Sequence, residues 1–263
     1  MRGPHPDPAG TPPAARRAAE LTELGGFAVL EMDRDGLLPL TTALDPDHLT
    51  QRFAATRAGL SAGTGVPLAQ VPARTAVSAA QMGLVSRFWS IALASLALHD
   101  RVPDLTPEGV WVHPGHRNPS PLAVTGAGRA VSGAAEAVAV LEALVVRGAV
   151  AAVTQACAEH GRTSRQVLVS NAASSLVASA GVLGGQVPPQ AGRLDVVVRL
   201  LLGRPWLAAG GGYRQDVGFT RAGCCLYYRL PGHGLCSDCV LVRARPAGRR
   251  AGRPGQPGCG SIP

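Results

Sequence analysis

The sequence predicts a mainly α protein, α with minor β, in which a helical body is followed by a small loop-rich carboxyl-terminal module. Three observations predict it. Long apolar stretches carry few charges and outrun the length of a strand; the extended candidates are short; and after Trp206 the chain becomes glycine-rich, with four of its six cysteines gathered before Val242. With 263 residues, 46% hydrophobic and 16% charged, there is material for a proper core, which excludes a disulfide-dense miniprotein and disfavours an intrinsically disordered chain.

Taken in chain order, residues 1–20 carry five prolines and an Arg16-Arg17 pair with no apolar run behind it, so they read as a flexible segment and not as a secretory signal. Asp45-Pro46 has the form of an N-cap followed by proline at the first helical position, opening a helix to about Leu60. Arg74 to His99 holds one internal charge, Arg87, and predicts a largely buried helix with a break at Gly83. Thr106-Pro107 turns the chain, and Val110 to His113 and Leu122 to Thr125 are short strand candidates. Ala134 to Glu159 reads as one helix whose Glu136, Arg147 and Thr154 form a thin polar stripe, within about 20° of one another at 100° per residue. Ser164 is placed to cap the next helix, running to about Ala180 and ended by Gly181; Leu194 to Leu202 gives one more, with Asp195 and Arg199 paired at i, i+4. The resulting plan is a flexible segment (1–20), a helical body (21–206), a cysteine module (207–242) and a disordered Arg/Pro/Gly tail (243–263).

No membrane span is expected, because Phe88 to Leu98 is too short and Ala134 to Ala158 is interrupted by Glu136, Glu142 and Arg147. A cytoplasmic location follows as the expectation, with thiols reduced unless bound to metal. The formal charge of +8 comes entirely from arginine, with no lysine anywhere, and five arginines without one acid fall between Val240 and Pro263. That pattern reflects composition and a basic tail more than a recognition face, so no nucleic-acid partner is expected. The missing lysine excludes a GxxxxGK[ST] phosphate loop, and Gly63/Gly65 and Gly126/Gly128 both lack the third glycine of a dinucleotide fingerprint.

The chemistry concentrates in Cys224, Cys225, Cys236 and Cys239, a CCx10Cx2C pattern within sixteen residues. Four cysteines so close in a chain with reduced thiols point to metal, since a Cx2C turn converges two thiolates and a loop with Pro231, Gly232 and Gly234 folds back to present the others. Structural zinc draws on two separated chelating pairs around one tetrahedral ion, and a vicinal Cys224-Cys225 pair suits that poorly because successive side chains diverge. A [2Fe–2S] cluster needs only two thiolates at each iron, so the pattern favours iron–sulfur over zinc, with a zinc knuckle as the alternative.

The run Cys224-Cys225-Leu226-Tyr227-Tyr228-Arg229 with Gly234-Leu235-Cys236-Ser237-Asp238-Cys239 closely resembles the carboxyl-terminal module of the ferric iron reductase FhuF-like family, the siderophore-iron reductases. The resemblance implies a [2Fe–2S] cluster held by Cys224, Cys225, Cys236 and Cys239 after a helical siderophore-interacting domain. The helix around Ser170-Asn171-Ala172-Ala173-Ser174 is more loosely similar to that domain's Asn/Ala-rich helix. It further implies one-electron reduction of a ferric siderophore, most simply of hydroxamate type, with a reduced ferredoxin or flavoprotein as donor. The rival readings are a zinc-stabilised structural or interaction protein and a redox-sensing nucleic-acid binder.

Around the cysteines, His233 reads as a loop residue more than a ligand, Asp238 as a cap for backbone amides within the Cx2C turn, and Arg229 equally as a charge offsetting the cluster or as a solvated side chain. Cys157 reads as a core residue and Cys259 as an exposed thiol. Asn171, Ser174 and Ser175 are predicted to be buried and hydrogen-bonded between helices before they line a pocket. Trp89, Trp111 and Trp206 are core candidates, and the HxxH pair His113 and His116 reads as a loop.

Overall fold

The computed structural model describes residues 14–115, 117–126, 128–215 and 218–244. It is mainly α with minor β. Its helices are α1 (Ala14–Glu23), α2 (Leu40–Ala43), α3 (Pro46–Thr64), α4 (Ala73–His99), α5 (Ala134–Leu141), α6 (Ala151–Glu159), α7 (Arg165–Gln186), α8 (Ala191–Leu202) and α9 (Pro205–Ala208). Short antiparallel strands cross one end: β1 (Leu38–Pro39), β3 (Val110–Val112) and β4 (Leu122–Val124) make one sheet, and β2 (Arg101–Val102) pairs with β5 (Arg129–Ala130). A hairpin of β6 (Gly211–Arg214) and β7 (Gly218–Arg221), in register from Gly211 opposite Arg221 to Arg214 opposite Gly218, leads into the cysteines. The loop-rich module therefore opens with regular structure that composition did not reveal. His116, Cys259 and most of the terminal segments (1–13 and 245–263) lie outside the described residues.

The central pair is α4 against α7, the most extensive helix contact of the fold. Both helices present alanine and serine to each other, which lets their axes approach closely, and polar groups in the seam are hydrogen-bonded to one another. Trp89 Nε1 donates to the Ala172 carbonyl at 3.0 Å, Gln81 Nε2 donates to the Leu168 carbonyl and to Thr154 Oγ1, and Ser86 and Ser90 donate to Ser175 and Ser179. Arg87, 2% exposed, caps three loop carbonyls, those of Phe27, Val29 and Ser120. Trp89 is fully buried, whereas Trp206 is half-buried on the core edge and Trp111 lies under the Arg34 guanidinium.

Several expected helix boundaries are corrected. Gly83 does not break α4 and Gly181 does not end α7, because each faces open space and costs the helix only its modest intrinsic penalty once the other residues are packed. Asp45 and Ser164 occupy N-cap positions, but neither side chain bonds the first turn. The predicted single helix over Ala134 to Glu159 is interrupted by a π-helical stretch, Glu142–Val150, with non-helical backbone at Gly148 (φ −85°, ψ −122°). Leu105 is the cause. Its carbonyl accepts from Ala149 N at 2.7 Å and would sit 2.4 Å from a Cβ at position 148, so only glycine lets the loop approach. The polar stripe is corrected with it: Arg147 is solvent-exposed and Glu136 half-buried, but Thr154 is buried.

By length and composition three helical stretches, α4, Ala134–Glu159 and α7, are long and apolar enough to cross a membrane, which corrects the expectation that none qualifies. In this fold 72%, 61% and 67% of their most apolar windows are buried against the rest of the protein.

Candidate metal centre

The cysteine segment is seated on α4 and α7 before any metal is considered. From β7 the chain passes Ala222, whose N–H donates to the Gly210 carbonyl, and Gly223, where a Cβ would lie 2.9 Å from the Gln166 carbonyl and 3.0 Å from Ser170 Oγ. Ser78 Oγ donates to the Cys225 carbonyl at 2.8 Å and Thr75 Oγ1 to that of Leu226 at 3.4 Å. Leu226 adopts left-handed backbone (φ 70°), turning the chain into a short 3-10 helix, Tyr227–Arg229. Beneath it, Cys225, Tyr227, Leu230, Cys236 and Cys239 join Leu60, Val66, Val71, Ala76 and Ala79 in an apolar cluster separate from the main core.

Gly223→Ala should therefore lift the turn off α7, lowering stability by about 1–3 kcal/mol. A thermal midpoint unchanged from wild type would show that the turn is not seated there.

The four sulfurs come together as two pairs, each drawing one cysteine from either half of the motif. Cys225 Sγ lies 3.4 Å from Cys236 Sγ, and Cys224 is in side-chain hydrogen-bond contact with Cys239. Backbone donors serve them: Leu226 N–H to Cys224 Sγ at 3.3 Å and Leu241 N–H to Cys239 Sγ at 3.4 Å, with Tyr227 N–H on Cys225. The same i+2 contact thus recurs in both halves. Cys225, Cys236 and Cys239 are buried, while Cys224 is half-buried.

Burial pushes the Cys224 thiol up to about 11 against the pull of the Leu226 N–H, and the Cys236 thiol together with burial holds Cys225 well above the ordinary thiol range. Both are protonated near neutrality, so binding a cation must displace protons, and only a strongly positive centre keeps these sulfurs together as thiolates. Two thiol pairs, each joining the two halves of the motif, suit a two-iron group with two thiolates at each metal.

The remaining expected residues take different places. Asp238 is not a cap for backbone amides: its carboxylate accepts from Arg221 Nε at 2.9 Å and from Ser174 Oγ. Asn171 and Ser174 are buried, and besides its bonds to Ser78 and Gln81 of α4, Asn171 accepts at Oδ1 from Arg221 Nη1 at 2.7 Å. Ser175 bonds Ser86 across the helix seam. His233 tilts its ring against Tyr227 at 5.1 Å between centroids. Arg229 is exposed and lies over Tyr228. Cys157 is buried in the main core, its thiol pushed up to about 12 by burial despite Arg52. His113 takes the Gly115 N–H on its Nδ1 and the Arg52 guanidinium on its carbonyl, as a loop residue does.

Arg221 is the residue that sequence reasoning missed. Burial alone pulls its guanidinium down, but Asp238 and Cys225 outweigh that and hold it above the ordinary arginine value. Its position three residues before the vicinal pair was the available signal. An open groove of about 430 Å³ lies between α5 and α8, lined by Ala135, Val138, Arg199, Leu200, Gly203 and Arg204, with no residue of the cysteine segment in its wall.

A protein-family comparison bears on this geometry directly. Residues 221–241 match the family model described as the FhuF 2Fe-2S C-terminal domain. This carboxyl-terminal module is thus an iron–sulfur one of FhuF-like type, and its cofactor is a [2Fe–2S] cluster. No curated protein matches the chain.

Proposed function

We propose that this protein is a ferric-siderophore reductase acting in the cytoplasm, with Cys224, Cys225, Cys236 and Cys239 as the cluster ligands. The observation that carries the reading is the coincidence of the matched segment with two thiol pairs, Cys225/Cys236 and Cys224/Cys239. A bound [2Fe–2S] cluster supplies one-electron transfer at a potential tuned by its surroundings.

The chain supplies the rest. Leu226 and Leu241 donate N–H groups to sulfur, which favours the thiolate form. Tyr227 and Leu230 wall the buried side against water, and half-buried Cys224 leaves one edge toward solvent, where Tyr228 and Arg229 are exposed. The substrate is iron(III) in a siderophore of hard oxygen donors, hydroxamate type first. One electron from a reduced ferredoxin or flavoprotein is passed on to that iron, the larger and less acidic iron(II) is held weakly by oxygen donors, and it dissociates while the freed hydroxamates take up protons.

Anaerobic photoreduced protein mixed with a panel of ferric siderophores should release iron(II), trapped by a chelator, at one equivalent per cluster electron. Reoxidation without trapped iron(II) from any hydroxamate, catecholate or carboxylate complex would reject the reductase reading.

A further inference from the structure

One buried cation, the Arg221 guanidinium, lies within electrostatic reach of the cysteine site. Arg221 ends β7 with its side chain 5% exposed. Three of its groups are committed: Nε donates to Asp238 Oδ2 at 2.9 Å, Nη1 to Asn171 Oδ1 at 2.7 Å, and the backbone N–H to the Asp238 carbonyl at 3.0 Å. Nη2 rests 3.9 Å from Met82 Sδ. Asn171 is in turn held by Ser78, whose hydroxyl also grips the Cys225 carbonyl, and Asp238 is held by Ser174. The Cx2C turn is thereby tied to α7 and, through α4, to the vicinal Cys224-Cys225 pair. Among the four cysteines, Arg221 interacts electrostatically with Cys225 and Cys236, the pair on the buried side.

We propose that Arg221 is the positioning residue of this site: its buried guanidinium locks the Cys236–Cys239 turn onto the helical body through Asp238 and Asn171, and raises the reduction potential of the cluster held there. This rests on the ligand assignment made above. Four thiolates leave a two-iron centre negatively charged, and reduction adds one more negative charge. A fixed cation nearby stabilises the reduced form more than the oxidised one, and burial strengthens the effect because little solvent screens it. Arg229 carries the same charge within electrostatic reach of Cys224, but it is exposed to water and its influence is screened.

The test uses the full-length holoprotein prepared without oxygen, with R221Q, R221K, D238N and R229Q beside wild type. Iron and acid-labile sulfide are counted first, then the midpoint potential is titrated with mediators and followed by visible and paramagnetic spectra. R221Q should lower the equilibrium constant for reduction about tenfold or more, equivalent to about 59 mV for a one-electron couple. R221K should shift less than half as far, and D238N, which leaves the guanidinium uncompensated, should shift in the opposite direction. R229Q should move the midpoint less than R221Q.

A loaded R221Q with an unchanged midpoint, or an R229Q shift as large as that of R221Q, overturns the proposal while leaving the ligand assignment intact. Where R221Q fails to retain its cluster, D238N decides: a midpoint equal to wild type overturns the proposal, because a purely structural clamp has no signed charge response. Wild-type protein without iron and sulfide removes the ligand assignment itself, and the proposal with it.

Discussion

Cys236→Ala should give a colourless protein, with iron and acid-labile sulfide reduced about tenfold or more and no iron(II) release from any ferric siderophore. Cys236 is buried and stands 3.4 Å from Cys225, so its removal strips one metal position of half its thiolates. No neighbour replaces it: His233 is engaged with Tyr227, and Asp238 with Arg221 and Ser174. The chain should still fold, because the main core draws on none of the four motif cysteines. Cys157→Ala is the matched control, buried in that main core, and should keep its colour. Full iron content in Cys236→Ala, measured by metal analysis and by the visible spectrum after anaerobic reconstitution, would remove Cys236 from the ligand set.

Arg87→Met should lower global stability by about 3–5 kcal/mol, a large part of what a domain possesses. Arg87 is almost wholly enclosed in α4, where burial lowers its guanidinium to about 10, still charged near neutrality, with Glu31 pulling the other way. Its three carbonyl partners come from two segments, Phe27 and Val29 before β1 and Ser120 before β4. Methionine fills similar space but leaves those carbonyls without their donor, and each unsatisfied buried acceptor costs about 1–3 kcal/mol. Urea unfolding is the measurement. A loss below about 1 kcal/mol would mean that water or a neighbour serves the carbonyls equally well.

The cysteine spacing was legible because metal chemistry is local: four sulfurs within sixteen residues constrain one another whatever surrounds them. The apolar stretches now seen as α4 and α7 were legible for a similar reason, since charge-poor runs of that length leave few alternatives. Their ends were not. Gly83 and Gly181 read as breaks on local propensity, but the pairing of α4 with α7 overrides a penalty of about 1 kcal/mol for each glycine. Gly148 went unnoticed for the opposite reason, its backbone being set by Leu105, a residue from a distant loop. Arg221 and Asp238 were hidden likewise. Seventeen positions separate them, and among 25 arginines Arg221 is marked by little beyond its place just before the vicinal cysteines.

Leu60, Val71, Ala76 and Ala79 lie more than 140 positions before the cysteines whose apolar floor they form. Anyone wishing to transplant this redox element into another scaffold would have to carry the facing walls of α3 and α4 along with it. A short peptide spanning the motif alone would be missing the surface on which it is moulded.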